Sequence, residues 1–182
     1  MFKKYKKINY KRFFCVPGCI KAVLLRRKIG KGIDIWTIGR ELDLKIPRKF
    51  KEEYPNTKIS EKGIFQINLH KKEHSFNRFF RKYKLPLIEK YFYRTNKEKI
   101  KTLLLKEFKG SDIIAAFDFP TISGMKGKWG HVSLINGVSK KEVSLYDPKS
   151  SKSIKVSYEL LSKAIKTHGR KKRAGFWIIK NK

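Results

Sequence analysis

Between Trp129 and Pro148 the chain reads WGHVSLINGVSKKEVSLYDP. Two alternating apolar runs, His131-Val-Ser-Leu-Ile135 and Val143-Ser-Leu-Tyr-Asp147, flank a polar, turn-like NGVSKK, which is the pattern of a β-hairpin with one face of each strand buried. This is the strongest constraint in the sequence. A hairpin brings the start of its first strand and the end of its second to the same edge of a sheet, so His131 and Asp147 become neighbours. A carboxylate beside an imidazole fixes its tautomer and stabilises the imidazolium, the orienting role in a nucleophile-base-acid triad. The missing nucleophile has a candidate in Cys15, within FFCVPGC at Phe13 to Cys19.

Other segments read in order as follows. Residues 1–14 form a basic, aromatic-rich arm expected to lie extended. From Cys15 to about Lys28, Ile20, Val23 and Leu24 recur at helical spacing, and Pro17 suits a first turn, where its missing N–H costs nothing. Cys15 therefore opens a helix, where unpaired N–H groups and the helix dipole would favour a thiolate near neutral pH. Cys19, one turn on, reads as a small core hydrophobe. Asp34 is expected to cap a second helix with Ile35, Ile38 and Leu42 on one face. Residues 48–63 read as a long polar surface loop. Gly63 to Leu69 alternates like a strand, Ser75 caps a helix bearing Phe76, Phe79 and Phe80, and Leu85 to Tyr93 reads as a strand. Asn96 to Phe108 reads as a helix, Asp112 to Phe117 as a buried strand and Phe119 to Lys128 as a connection. After the hairpin come a strand at Ser153 to Val156, a helix at Tyr158 to Lys166, a basic loop at His168 to Arg173 and a last strand at Gly175 to Ile179. Helices dominate the first half and antiparallel strands the second, the signature of an α+β domain.

The chain has 182 residues, enough for one domain with a sizeable core, and its 40% hydrophobic content excludes a disordered polymer. Lys+Arg is 46 against 15 Asp+Glu, a net charge of +31. The lysines are spread along the chain, which describes a solvated basic surface more than a dedicated nucleic-acid site. Two cysteines four apart do not make a disulfide framework, so a reducing, cytoplasmic setting is expected. The basic leader and FFCVPGCIKAVLL imitate a signal peptide, but Lys21 interrupts the run and Arg26-Arg27-Lys28 follows it. No stretch reaches the length of a membrane span.

Cys15-Val16-Pro17-Gly18-Cys19, Gly130-His131-Val-Ser-Leu-Ile and Leu145-Tyr146-Asp147-Pro148 together resemble the papain-like cysteine peptidases. Within them they are similar to the peptidase C39-like group, the bacteriocin-leader peptidases and their stand-alone relatives. That group has a Cys-Gly-Pro-x-Cys-like helix start, a His opening a strand, and Asp-Pro ending the next. The resemblance implies a single papain-like domain over residues 1–182, with N-terminal helices carrying the cysteine packed on an antiparallel sheet carrying His and Asp. It gives Cys15 the role of nucleophile, His131 that of base and acid, and Asp147 that of orienting group, in hydrolysis of a peptide or protein amide without a cofactor or metal. The group's oxyanion-hole glutamine, six positions before the nucleophile, corresponds to Asn9; Gln66 is the alternative donor. Phe14 and Val16 replace the acidic residue and glycine that usually flank the cysteine. Cleavage after a double glycine, characteristic of leader peptidases fused to exporters, is not carried over, because the chain shows neither a membrane region nor an ATPase motif.

Three other readings remain open. Transfer of the acyl group to an amine, or action on a side-chain amide, would use the same triad. A basic module binding nucleic acid or another polyanion could sit on the same fold with the site inactive, since +31 attracts acidic partners. His70-Lys-Lys-Glu73-His74 matches the H-x-x-E-H zinc-peptidase pattern, which needs a helix to place both histidines on one face. Its position between a strand pattern and the Ser75 cap argues for surface histidines instead, and His168 in THGRKKR reads as solvated or polyanion-facing.

Overall fold

A computed structural model describes residues 2–10, 12–61, 66–67, 69 and 71–182. Its elements are α1 (Cys15–Arg26), α2 (Ile35–Glu41), β1 (Lys45–Ile46), β2 (Lys58–Ile59), α3 (Phe76–Lys82), β3 (Leu87–Phe92) and α4 (Lys97–Glu107), followed by β4 (Asp112–Asp118), α5 (Phe119–Ser123), β5 (Gly130–Val138), β6 (Glu142–Asp147), β7 (Lys152–Ser157), α6 (Tyr158–His168) and β8 (Gly175–Asn181). The main sheet is antiparallel, in the order β3-β8-β4-β5-β6-β7. This is the mixed α+β architecture that the strand and helix periodicities anticipate.

Alternation sorts the sheet residues between two apolar layers. Ile114, Ala116, Val132, Leu134, Trp177 and Ile179 pack against α1 and α3 through Ile20, Val23, Leu24, Phe76 and Phe80. Ile113, Ala115, Ile135, Leu145, Phe176 and Ile178 face α4 and α6 through Ile100, Leu104, Leu161 and Ile165. Cover on both faces explains why β4 is an unbroken apolar run between its two aspartates, with all seven residues buried. Helix starts follow the side chains that cap them: Asp34 accepts from Thr37 N–H, Ser75 from Arg78 N–H, and Asn96 from Glu98 and Lys99 N–H.

The N-terminal arm runs along the sheet, from the Asn136 end of β5 toward Pro148 at the end of β6. Lys3 N–H donates to Asn136 O at 2.7 Å, Tyr5 OH to Asp112 Oδ1 at 2.7 Å and Ile8 N–H to Pro148 O at 2.8 Å.

Three expectations need correction. Residues 48–63 are not simply a polar surface loop: Tyr54 is fully buried, stacks on Phe14 at 5.9 Å and donates through its hydroxyl to Arg12 O at 2.9 Å. Together with Leu44 and Ile46 they form a third, small core, with β1 and β2 paired in parallel beside it. One aromatic in a charged stretch is invisible to averaged hydropathy. The connection after β4 holds the short helix α5, because Asp118 Oδ2 accepts from Thr121 N–H and Pro120 sits in the first turn. The division into a helical first half and a strand-rich second is also too clean, since β3 joins the same sheet through β8. The strand expected at Gly63 to Leu69 lies largely outside the described residues; Gln66 makes one antiparallel bridge to Lys45.

Candidate active site

Cys15 is the first residue of α1. Phe14 precedes it at φ −93° and ψ 23° with no side-chain cap, so the first-turn N–H groups are not occupied by a capping side chain. Pro17 and Gly18 lie buried in that turn. Gly18 is required by a close approach: a Cβ there would stand 2.6 Å from the Tyr10 ring. Tyr10 thus packs directly on the start of α1.

His131 and Asp147 come together as the hairpin pattern predicts. Leu134 pairs with Tyr146 and Ile135 with Leu145. Continuing that register sets Asp147 opposite Ser133 and one diagonal step from His131, within reach of long side chains. His131 Nε2 stands 3.9 Å from Asp147 Oδ2, with side-chain exposures of 22% and 32%. The other carboxylate oxygen, Oδ1, accepts from Tyr10 OH at 3.1 Å and from Lys149 N–H at 2.8 Å. The imidazole also meets Phe117 and Phe119 in T-shaped packing, at centroid distances of 6.0 and 5.3 Å.

Cys15 lies against the strand that carries His131, its sulfur accepting a hydrogen bond from the backbone at Val132. Among the described residues no hydrogen bond joins Cys15 to His131. The thiolate expected at the helix start is not what the surroundings favour. Desolvation pushes the Cys15 thiol up to about 11, outweighing the backbone hydrogen bonds from Val132, Val16 and its own residue. Desolvation likewise lowers the His131 pKa below its ordinary value, against the pull of Asp147. Burial thus opposes the charged form of both side chains.

The remaining sequence candidates separate clearly. Cys19 is buried in the core, its thiol 3.9 Å from Val132 O and its pKa raised by burial, as suits a small hydrophobe. Asn9 is exposed on the arm and lines a groove of about 300 Å³ with Tyr10, Phe14, Ile35 and Trp36. Gln66 exchanges backbone hydrogen bonds with Lys45, beside β1. Glu73 and His74 lie in a 3-10 turn, not an α-helix, and His70 is outside the described residues. His74 Nε2 faces Asp43 at 3.8 Å and its Nδ1 lies 3.3 Å from Glu41 O. Among the described residues no group of three His, Cys, Asp or Glu side chains could hold a metal ion, and no helix is long and apolar enough to cross a membrane.

Two neighbours of the site escape a reading of the sequence. Tyr10 is one of several aromatics in a basic arm, and nothing local signals that it, among them, meets Asp147. His168 is half-buried, not solvated: its ring fills the space where a Gly130 Cβ would stand, at 2.2 Å, and burial ahead of the Lys172 charge lowers its pKa. A glycine immediately before the candidate histidine is the only sequence trace of that packing.

No family model matches the chain, and none of the curated proteins does. Among solved structures, a Bacillus anthracis protein whose assignment as a C39-like peptidase is itself provisional aligns over 100% of this chain and 96% of its own. The TM-score is 0.59 at 13% sequence identity. That likeness shows a shared fold, consistent with the architecture the cysteine, histidine and aspartate motifs imply.

Proposed function

We propose that the chain is a cysteine-dependent hydrolase cleaving peptide amides, with Cys15 as nucleophile, His131 as base and acid, and Asp147 orienting His131. The observation that carries this reading is the placement of His131 and Asp147 3.9 Å apart across β5 and β6, with Cys15 at an uncapped helix start against Val132.

Nε2 of His131 faces Asp147, so Nδ1 is the nitrogen left to take the thiol proton. The resting thiol is neutral, and proton transfer accompanies attack. As Cys15 Sγ bonds to the carbonyl carbon, its proton passes to His131 Nδ1 and the carbonyl π electrons move to oxygen. The Cys15 backbone N–H and the Asn9 side chain, or Gln66 in its place, would donate to that oxyanion, each worth about 3 kcal/mol in comparable sites. Collapse of the tetrahedral species expels the amine, which takes the proton from His131 Nδ1. Water then attacks the thioester, giving one proton to His131, and Cys15 leaves as a thiol when that proton returns. Loose catalytic distances before substrate binding are usual and tighten in the complex.

Peptidyl acyloxymethyl ketones test the reading, since they alkylate a thiol only after a carbonyl is seated beside it. Peptide mass spectrometry is expected to find Cys15 labelled and Cys19 untouched, with labelling lost in His131→Ala. Labelling that is absent, or indifferent to His131, sinks the proposal.

A further inference from the structure

From the last residue of α5 to the first of β5, Ser123 to Gly130, every residue is exposed. Two of them are large and apolar: Met125 keeps 56% of its surface exposed and Trp129 keeps 43%. Lys126 and Lys128 lie between them, and the run contains no acid. The other large exposed apolar residues, Phe2, Trp36, Leu105 and Ile154, each stand on a different segment. Scattered singly, such residues need no explanation, whereas a pair on one short loop does.

The loop holds its indole in place. Trp129 stacks on Phe119 at 6.2 Å, and its carbonyl accepts from Phe119 N–H at 2.9 Å. Gly127, at φ 115°, lies so close to the ring that a Cβ there would stand 2.6 Å from it. A second basic segment joins this one. The His168 ring, at the end of α6, fills the space where a Gly130 Cβ would stand, which brings the turn at Arg170–Lys172 alongside the loop. Lys126, Lys128, Lys166, Arg170, Lys171 and Lys172 are all exposed, and among the described residues none of them makes an ion pair. Asp118, the carboxylate that faces His168, is buried and accepts from Thr121.

This corner therefore combines an apolar pair with six unpaired cations. A nucleic acid would satisfy the cations but offers nothing to a methionine side chain. A bilayer containing anionic lipids offers both, hydrocarbon beneath a plane of negative charge, and tryptophan is favoured at that boundary.

We infer that Ser123 to Gly130 is a membrane-docking loop, seating Met125 and Trp129 in the interface of an anionic bilayer while the surrounding cations meet the lipid headgroups. Docking does not depend on the hydrolase reading. Phe119 packs against both Trp129 and the His131 ring, so the docked loop sets the candidate active site at the lipid surface.

The test is flotation of the full chain with vesicles of phosphatidylcholine, alone or mixed with phosphatidylglycerol, together with quenching of tryptophan fluorescence by bromines on the acyl chains. Because a net charge of +31 attracts any anionic surface, the loop variants carry the decision. The chain is expected to float with mixed vesicles and not with neutral ones. Bromolipid should quench the wild type and Trp36→Phe but not Trp129→Phe, which keeps an aromatic ring on Phe119; Trp177 is buried. Met125→Ser with Trp129→Ser leaves every charge in place and should weaken partitioning by about tenfold or more. Ile154→Ser, exposed on β7, should leave it unchanged. Lys126→Gln and Lys171→Gln should each weaken it by about fivefold. Failure to float with mixed vesicles overturns the inference. Quenching that tracks Trp36 instead of Trp129, or partitioning indifferent to the double serine variant, reduces binding to diffuse charge and overturns it too. A Trp129 response to oligothymidylate that mixed vesicles do not elicit would assign the loop to nucleic acid instead.

Discussion

Two aspartates are tied to the same N-terminal arm by two tyrosines, and their surroundings suit opposite purposes. Asp112, at the start of β4, is fully buried and accepts from Tyr5 OH at 2.7 Å, from Arg26 at 2.6 and 2.7 Å and from Arg27 at 2.5 Å. Burial alone would raise its carboxyl, but the hydrogen bonds from Arg26 and Tyr5 and the nearby guanidinium charges hold it below the usual carboxylate range. Asp147, at the end of β6 and with a third of its side chain exposed, takes one tyrosine hydroxyl and one backbone N–H on Oδ1 and turns Oδ2 toward an imidazole. A saturated carboxylate locked to permanent cations can do nothing but hold. One left partly unsatisfied beside an imidazole can orient that ring and stabilise its protonated form.

The largest expected effect lies at Asp147. Asp147→Asn should lower kcat/KM for amide cleavage by about 10³–10⁴-fold, as loss of the orienting carboxylate does in other triads, while the thermal midpoint scarcely moves. A loss below about tenfold would make Asp147 a bystander. Asp112→Ala reverses the pattern. It leaves two guanidinium groups partly buried without their carboxylate, which should cost about 3–5 kcal/mol of unfolding free energy by denaturant titration. Activity should survive wherever the chain remains folded. A change under 1 kcal/mol would show that water satisfies Arg26 and Arg27, and the contrast between the two acids would fail.

The Asp147 arrangement was legible in the sequence and the Asp112 arrangement was not. A hairpin is a local object: alternation and a short turn fix which residues share an edge, so His131 and Asp147 could be paired from their strand positions alone. Cys15 was legible as a helix start because Pro17 and the spacing of Ile20, Val23 and Leu24 are local too. Asp112 instead meets Arg26, Arg27 and Tyr5 through the packing of α1 and the arm on the sheet, across more than eighty residues of chain. The same non-locality hid Tyr10, His168 and the burial of Tyr54. It also reversed the expected direction of the Cys15 pKa shift: dipole and free N–H groups are readable from a helix start, whereas desolvation depends on what folds over it.

The two tyrosines give a smaller, paired test. Tyr5→Phe removes a buried hydrogen bond to a charged acceptor and should cost about 1.5–3 kcal/mol of stability with kcat unchanged. Tyr10→Phe should cost less than about 1 kcal/mol, since its acceptor is partly solvated, and should lower kcat by about tenfold at constant KM because Asp147 is held less firmly. Equal stability losses and an unchanged kcat in Tyr10→Phe would mean that both tyrosines merely fasten the arm.

The smallest effect separates the two regions by pH. His131 and His168 both have folded-state pKa values lowered from 6.5, chiefly by burial, so the unfolded chain binds protons first as pH falls. Their contribution to stability is therefore complete above pH 6.5 and declines below it, until the folded state takes up the same protons. The groups facing them are Asp147 for His131, and Lys172 and Asp118 for His168. Asp112 acts in a separate window: its folded pKa is lowered from 3.8, so its contribution is intact above that value and is lost as pH falls through the folded pKa. Thermal midpoints measured from pH 8 to pH 3 should thus show two declines. His131→Gln with His168→Gln should flatten the first, and Asp112→Asn should leave that first decline in place. A first decline that persists without both histidines would assign it to other groups and remove the neutral imidazole from the resting site.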